Sequence, residues 1–419
     1  MPRNPKLIDK LSSRLSLDGT RLMAAVVSEA ARLNARVFLV GGPVRDLLLD
    51  RPVKDIDLAV EGDAVALADA IALQAKAEVV KRSEFATAAV RLGGVAVDLA
   101  TARSETYRRP GALPSVRPAT IEADLLRRDF TVNAMAIELS AGFPGELLDP
   151  TTGLTDLRTG RIRVIHDCSF QDDATRILRA VRYEQRLGFQ IEPHTLNLLR
   201  RDTGYLATIS GVRIRRELQR TFDEEQPEAA LWRMGELGVL GAIHPALRFA
   251  PEQSKALRWL GDAGAPPLAD WPVLCWYASP GDIPSLVARL SLTRTQAEAV
   301  ETTPQLQLLE EPLAAAARPS RIVALLARMP LASLFGLAAI TPSVTTRAAV
   351  LNYIRRLRHV RPLLRGDEIA ALGVPRGPRL GEVLARLHAA KLDGDVATRS
   401  DEERLVRDII NPETGSLVR

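Results

Sequence analysis

VFLVGGPVRDLLLDRPVKDIDLAV, residues 37–60, divides into an apolar run, a glycine turn, a short amphipathic piece and a run carrying two acids. Val37–Val40 suits a buried strand, and Gly41-Gly42 lets the backbone turn sharply and come close to a ligand. Pro43 fits the first position of a helix. The free N–H groups at that helix start, with Arg45 one turn further in, make a seat for a phosphate chain. Asp55 and Asp57 stand two residues apart on the next strand, so their carboxylates share one face, about 7 Å apart at the Cα level. Two hard oxygen ligands on one face suit magnesium, which takes carboxylates, waters and substrate phosphates.

Outward from this stretch the pattern is mixed α/β. Asp18 is expected to cap a helix over about 19–34, with Leu22, Val26, Ala30 and Leu33 as its apolar face. A helix over 63–77 precedes strands near 78–81, 86–92 and 95–99, with Gly93-Gly94 as a hairpin turn. Asp98, at the end of the last strand, has two readings: a third carboxylate facing the metal, or a solvated strand-end acid. The segment RRPGALPSVRP, residues 108–118, has no helix or strand period and is expected to be a loop.

Two further motifs carry charge. In Leu126–Ala136, LRRDFTVNAMA, Arg128 can neutralise triphosphate oxygens, while Asp129 and Asn133 offer groups for a ribose hydroxyl. Standing alone, this motif reads better as an Arg-Asp surface pair ahead of a core helix. In Gln171–Arg182, QDDATRILRAVR, Arg176, Arg179 and Arg182 drift only about 60° per step around a helix. They can border one groove or form a solvated basic face, and for Arg182 both readings stay open. Asp173 beside Arg176 places an acceptor next to a donor, which complements the amino group and ring nitrogen shared by cytosine and adenine.

In order and spacing these motifs resemble the class II tRNA nucleotidyltransferase and bacterial poly(A) polymerase family, within the DNA polymerase β nucleotidyltransferase superfamily. The match runs from the Gly-Gly-x-Val-Arg-Asp turn and Asp-x-Asp through Arg-Arg-Asp-Phe-Thr-x-Asn-Ala-Met-Ala. It continues in Asp149–Leu157, where Thr152 replaces the first glycine of the family's turn and a hinge between domains is expected. Asp172 stands for the family's glutamate in Glu-Asp-x-x-Arg, and Val212 for an acid in the segment Ser210–Leu218. The flexible loop that affects nucleotide choice in the family is short here. Strong resemblance covers roughly residues 36–222.

Such a resemblance implies an α+β chain: a nucleotidyltransferase head with a small mixed sheet over 1–150, then an all-α neck (151–240), body (241–345) and tail (346–419). It implies magnesium-dependent addition of C, C and A to the tRNA 3′ end from CTP and ATP, with Asp55 and Asp57 as metal ligands and catalytic residues and Asp98 beside them. Gly41, Gly42, Arg45, Arg128, Asp129, Asn133, Asp172, Asp173, Arg176, Arg179 and Arg182 would bind nucleotide. A poly(A) polymerase, or an enzyme adding only CC or only A, shares every one of these motifs. A non-catalytic RNA-binding protein and a small-molecule nucleotidyltransferase are the alternatives of other classes.

Composition sets the outer bounds. The chain has 419 residues, 46% of them hydrophobic, enough for two to four domains. A net charge of +5, a pI near 9.4 and an arginine-rich basic set lean toward nucleic acid. Two cysteines, Cys168 and Cys275, give neither a disulfide framework nor a cysteine zinc site. No apolar run reaches the roughly 18 residues of a membrane span, and no signal peptide is legible, so the cytoplasm is the expected compartment. Near the end, GDEIAALGVPRGPRLGEVLARLHAAKLDGD reads as helix, turn, helix, with Asp367 as cap and Gly373 as stop. Arg376 and Arg379 at that turn are expected to meet RNA phosphates.

Overall fold

The computed structural model describes residues 5–411 apart from 54, 84, 85, 113 and 140–144. The described residues up to Gln226, together with Glu236–Ala242, form one compact unit; Pro227–Gly235 and the chain from Ile243 onward form a second.

In the first unit the order is α1 (Pro5–Ser12), α2 (Leu17–Arg32), β1 (Arg36–Val40), α3 (Gly42–Leu48), β2 (Ile56–Glu61), α4 (Ala64–Ala75), β3 (Glu78–Ser83), β4 (Thr87–Leu92) and β5 (Val95–Thr101). Then come β6 (Arg103–Thr106), β7 (Ser115–Pro118), α5 (Ile121–Leu126), β8 (Ala136–Glu138), β9 (Leu147–Leu148) and α6 (Gly153–Arg158). The unit closes with β10 (Arg161–Ile162), α7 (Ser169–Asp172), α8 (Thr175–Leu187), β11 (Gln190–Ile191), α9 (Pro193–Asp202) and α10 (Gly211–Phe222).

Seven strands make one sheet in the order β3-β4-β5-β2-β1-β8-β9. Every neighbouring pair is antiparallel except β2 with β5, which run parallel. Phe38, Leu39, Leu58 and Leu99 are fully buried on its two faces. One face packs Phe38, Val40 and Ala59 against Ile121 and Leu125 of α5. Each such large side chain contributes about 1.5–3 kcal/mol by leaving water.

Three local expectations in the first unit need correction. Ser16, not Asp18, caps α2: its hydroxyl accepts the Gly19 amide at 3.2 Å, the reach an N-cap oxygen has to the third helical N–H. Leu33 lies past the last helical residue and is 39% exposed, so the apolar face ends at Ala30. Within 108–118, Ser115–Pro118 pair with β6 as a small separate hairpin. Neither of its faces is buried, so no apolar alternation marked it. At the Asp149–Leu157 turn the Asp149 carboxylate accepts the amides of Gly153 and Leu154 at 2.7 and 2.9 Å. Thr152, standing where the family has glycine, takes the left-handed φ of +63° that explains the family's choice.

The second unit is helical throughout its described residues. Its last part has a core of its own, in which Leu364, Ile369, Val374, Val383, Leu387, Val396, Val406 and Ile409 pack together. Buried Glu402 ties the entry of that core by accepting the amides of Leu363 and Leu364 and pairing with Lys391 at 3.1 Å. Arg365 flanks the helix Gly366–Ala371, and Glu368 reaches back to its amide at 2.7 Å. Asp367 sits in the first turn rather than at the cap, where its charge still favours the helix dipole. Among the described residues no single helix is long and apolar enough to cross a membrane.

Candidate active site

β1 delivers the chain to Gly41, whose φ of +73° few side chains tolerate. A Cβ there would stand 2.7 Å from Nη1 of Arg128, so the bare backbone is what lets that guanidinium lie against the turn. Arg128 is aimed by Asp124, which accepts from its Nη2 at 3.0 Å. Asp124 also accepts from Arg127 at 2.6 Å and from the Arg103 amide at 3.2 Å. Burial pushes the Asp124 carboxyl up, but Arg128 and Arg127 outweigh it and hold the group below the usual carboxylate range. The sequence reading missed Asp124, although its i, i+4 spacing to Arg128 was a visible sign.

Asp55 precedes β2 and is exposed; Asp57, within β2, is half-buried. Parallel pairing sets Asp57 opposite Asp98 on β5. Burial, then the charges of Asp98 and Asp55, push the Asp57 carboxyl up to about 6, with Arg128 pulling the other way. Asp98 thus belongs with the other two acids rather than to solvent alone. Among the described residues no three acids, histidines or cysteines are drawn tightly enough to close a metal cage unaided. The surplus negative charge that Asp57 feels, on an all-oxygen donor set, is nevertheless what a hard divalent cation would relieve, so the chemistry of these residues fits such an ion.

Behind the glycine turn lies a chain of buried polar contacts. Arg45, only 2% exposed, donates from Nη1 to Asn133 at 2.7 Å and pairs with Asp46 at 2.8 Å. Asn133 donates to Asp129 at 3.0 Å, and Asp129 receives Nε and Nη2 of Arg179 at 2.9 and 2.6 Å. Burial raises the Asp129 carboxyl, yet Arg179 and Asn133 dominate and bring it to about 2. Arg182 is buried between Glu217 and Glu224, 3.1 Å from each. Its guanidinium therefore does not border a groove, because its partners on and after α10 enclose it. Arg45, Asn133 and Asp129, read from sequence as phosphate and ribose ligands, stand in one hydrogen-bonded chain that also takes in Asp46 and Arg179.

At the start of α8, Asp173 accepts from Thr175 and from Arg213 of α10, the latter at 2.7 Å. Arg176 is buried and donates to Ser169 Oγ and to the Arg127 carbonyl, both at 2.7 Å. Asp172 faces His166 at 3.6 Å. Tyr107, between β6 and β7, donates to Glu105 at 2.7 Å. Burial and Glu105 hold its hydroxyl protonated well above the usual range, with Arg176 and Asp173 close enough to be felt. Sequence reasoning found Asp173 and Arg176 but missed Arg213, Glu217, Tyr107 and Tyr183. Glu217 was the one most open to detection, as an acid spaced from Arg213 within the Ser210–Leu218 segment.

In the second unit Arg376 pairs with Asp367 at 3.2 Å and Arg379 with Glu382 at 2.9 Å, all four side chains exposed.

Residues 37–163 match the model of the Poly A polymerase head domain, and residues 188–250 that of the probable RNA and SrmB-binding site of polymerase A. The A-adding tRNA nucleotidyltransferase of Geobacter sulfurreducens is 37% identical over 89% of this chain, which spans 45% of that relative's length. The CC-adding tRNA nucleotidyltransferase of Deinococcus radiodurans is 34% identical over 90% of both proteins. The Thermotoga maritima CCA-adding enzyme, solved in complex with tRNA, superposes with a TM-score of 0.76 at 29% identity, covering 97% of this chain and 98% of that one.

Proposed function

Since this chain belongs to the tRNA nucleotidyltransferase family, we propose that it extends the 3′ end of tRNA, transferring nucleoside monophosphates from CTP and ATP without a nucleic-acid template. The observation that carries this reading is the cluster of Asp55, Asp57 and Asp98, with Arg128 lying against the glycine turn beside it. RNA binding alone has no use for three acids set against one another. The terminal 3′ hydroxyl of the tRNA attacks the α-phosphorus in line, and the bond to pyrophosphate breaks. Gly41 and Gly42 offer backbone to the triphosphate and Arg128 neutralises its oxygens, while Arg45 holds the turn from behind. Asp55, Asp57 and Asp98 would hold magnesium, which when bound lowers the pKa of the attacking hydroxyl and neutralises the leaving group. Asp173, Arg176 and Arg213 form the edge that reads the base, with Asp172 next to it. Such chemistry on tRNA belongs in the cytoplasm.

Our reading of the product is C, C and A, because one acceptor and donor edge serves both bases. A second reading, addition of the terminal A alone, is favoured by the A-adding name of the Geobacter relative. Purified protein, tRNA ending before or after CC, and CTP and ATP alone or together separate the two. Three nucleotides added to the shortened tRNA support the first. One A added only to tRNA already ending in CC selects the second, and addition of CC alone selects a partial enzyme of the other kind. Unlimited A tracts from ATP alone would make the chain a poly(A) polymerase, and no incorporation at all would leave an RNA-binding protein.

A further inference from the structure

Tyr183, half-buried on α8, has three guanidinium groups around one ring. The central carbons of Arg45, Arg179 and Arg182 lie 5.4, 5.4 and 5.1 Å from its centroid. Phe130 meets the ring edge-on at 5.8 Å. Arg179 also donates to the Tyr183 hydroxyl, at a long 3.3 Å. Guanidiniums are drawn to an aromatic face, but three of them around one ring repel each other unless each is neutralised. Here each is: Asp46 serves Arg45, Asp129 serves Arg179, and Glu217 with Glu224 serve Arg182. No positive charge is left over for an anion, so the cluster is not a further phosphate site.

What the cluster joins is informative. Arg45 belongs to α3, the helix that begins at the Gly41-Gly42 turn, whereas Arg179 and Arg182 belong to α8, whose first turn carries Arg176. Asn133 and Asp129 form a second, hydrogen-bonded link between the same two elements. Arg45 is therefore held on one side by Asn133 and Asp46 and on the other by the Tyr183 ring. We propose that Tyr183 is a positioning residue: its ring, wedged among these arginines, fixes the glycine turn relative to α8 and so aligns the triphosphate seat with the base edge. This rests on the functional reading above. The ring acts here and the hydroxyl adds little, since its one bond is long.

The test uses the full chain, with tRNA and whichever nucleotide the parent incorporates. Tyr183→Phe should keep kcat/KM for the nucleotide within about threefold of the parent, whereas Tyr183→Leu should lose about 10²-fold, the cost of a small misplacement of reacting groups. Equilibrium affinity for tRNA should not change in either. Should the leucine variant fail to fold, Tyr183→Met fills the volume without an aromatic face and carries the same expectation. A phenylalanine variant as poor as the leucine one, or a leucine variant at parental kcat/KM, would each overturn the proposal. A parent inactive on every tRNA would overturn the functional reading instead, and this inference with it.

Discussion

Asp129 and Arg179 lie 2.6 Å apart with side chains 10% and 25% exposed; in the tail, Arg376 and Asp367 lie 3.2 Å apart with 78% and 89% exposed. Both are contacts of a guanidinium with a carboxylate, yet they differ in what they can do. Away from water the pair is forced into one geometry, since either partner left alone would be an uncompensated buried charge. In water the same pair is worth about 0–1 kcal/mol and opens readily for a stronger anion. Burial thus turns arginine from a residue that meets ligands into one that fixes where other residues stand. In the first unit Arg128, propped by buried Asp124, is no more exposed than Arg179, yet its guanidinium lies against the glycine turn.

The contrast can be strained in three places, the first of which leaves both arginine sets intact. Asp57→Ala should lower incorporation by more than about 10³-fold, since several kcal/mol of charge stabilisation leave with the metal site. Filter binding should show tRNA affinity close to the parent's, and equal turnover by mutant and parent would refute the catalytic assignment. Next, Asp129→Asn should destabilise the protein by about 3 kcal/mol in urea titration, because Arg179 loses its buried counter-charge. The folded carboxyl stands at about 2, below its unfolded value, so the ionised pair stabilises above the ordinary carboxylate range and that stabilisation drains away as pH falls toward 2. Parent and variant should accordingly converge in stability between about pH 4 and 2, and parallel pH curves would count against the pair. The smallest effect belongs to the tail. Replacing Arg376 and Arg379 by alanine should leave stability and nucleotide KM unchanged and reduce the salt dependence of tRNA binding by up to about two phosphate contacts. An unaltered slope would mean that Asp367 and Glu382 are their only partners.

Sequence and structure part company at a physical boundary. The strand Val37–Val40, the turn at Gly41 and the helix after it were legible because each depends on neighbours in the chain. So was the α+β head followed by helices. Asp98 kept two readings because only the register of β5 against β2 places it opposite Asp57. Arg182 followed the same three-residue spacing as Arg176 and Arg179, but its fate is decided by Glu217 and Glu224, which no local pattern connects to it. The same holds for Arg213 on Asp173. Spacing says which face of a helix a residue occupies; it does not say what another helix brings to that face.

The one parallel pairing in the sheet joins segments that lie far apart in the chain. β1 and β2 are antiparallel neighbours joined through a short helix, but β2 and β5 are separated by a helix and two further strands. Contacts between segments so far apart in the chain form slowly, because the loop entropy is spent before any contact returns it. The mutual repulsion of Asp57 and Asp98 therefore belongs to a long-range contact and not to either strand alone. The Gly41-Gly42 turn is built by neighbours in the chain, whereas Asp57 and Asp98 come together only once β5 has joined β2.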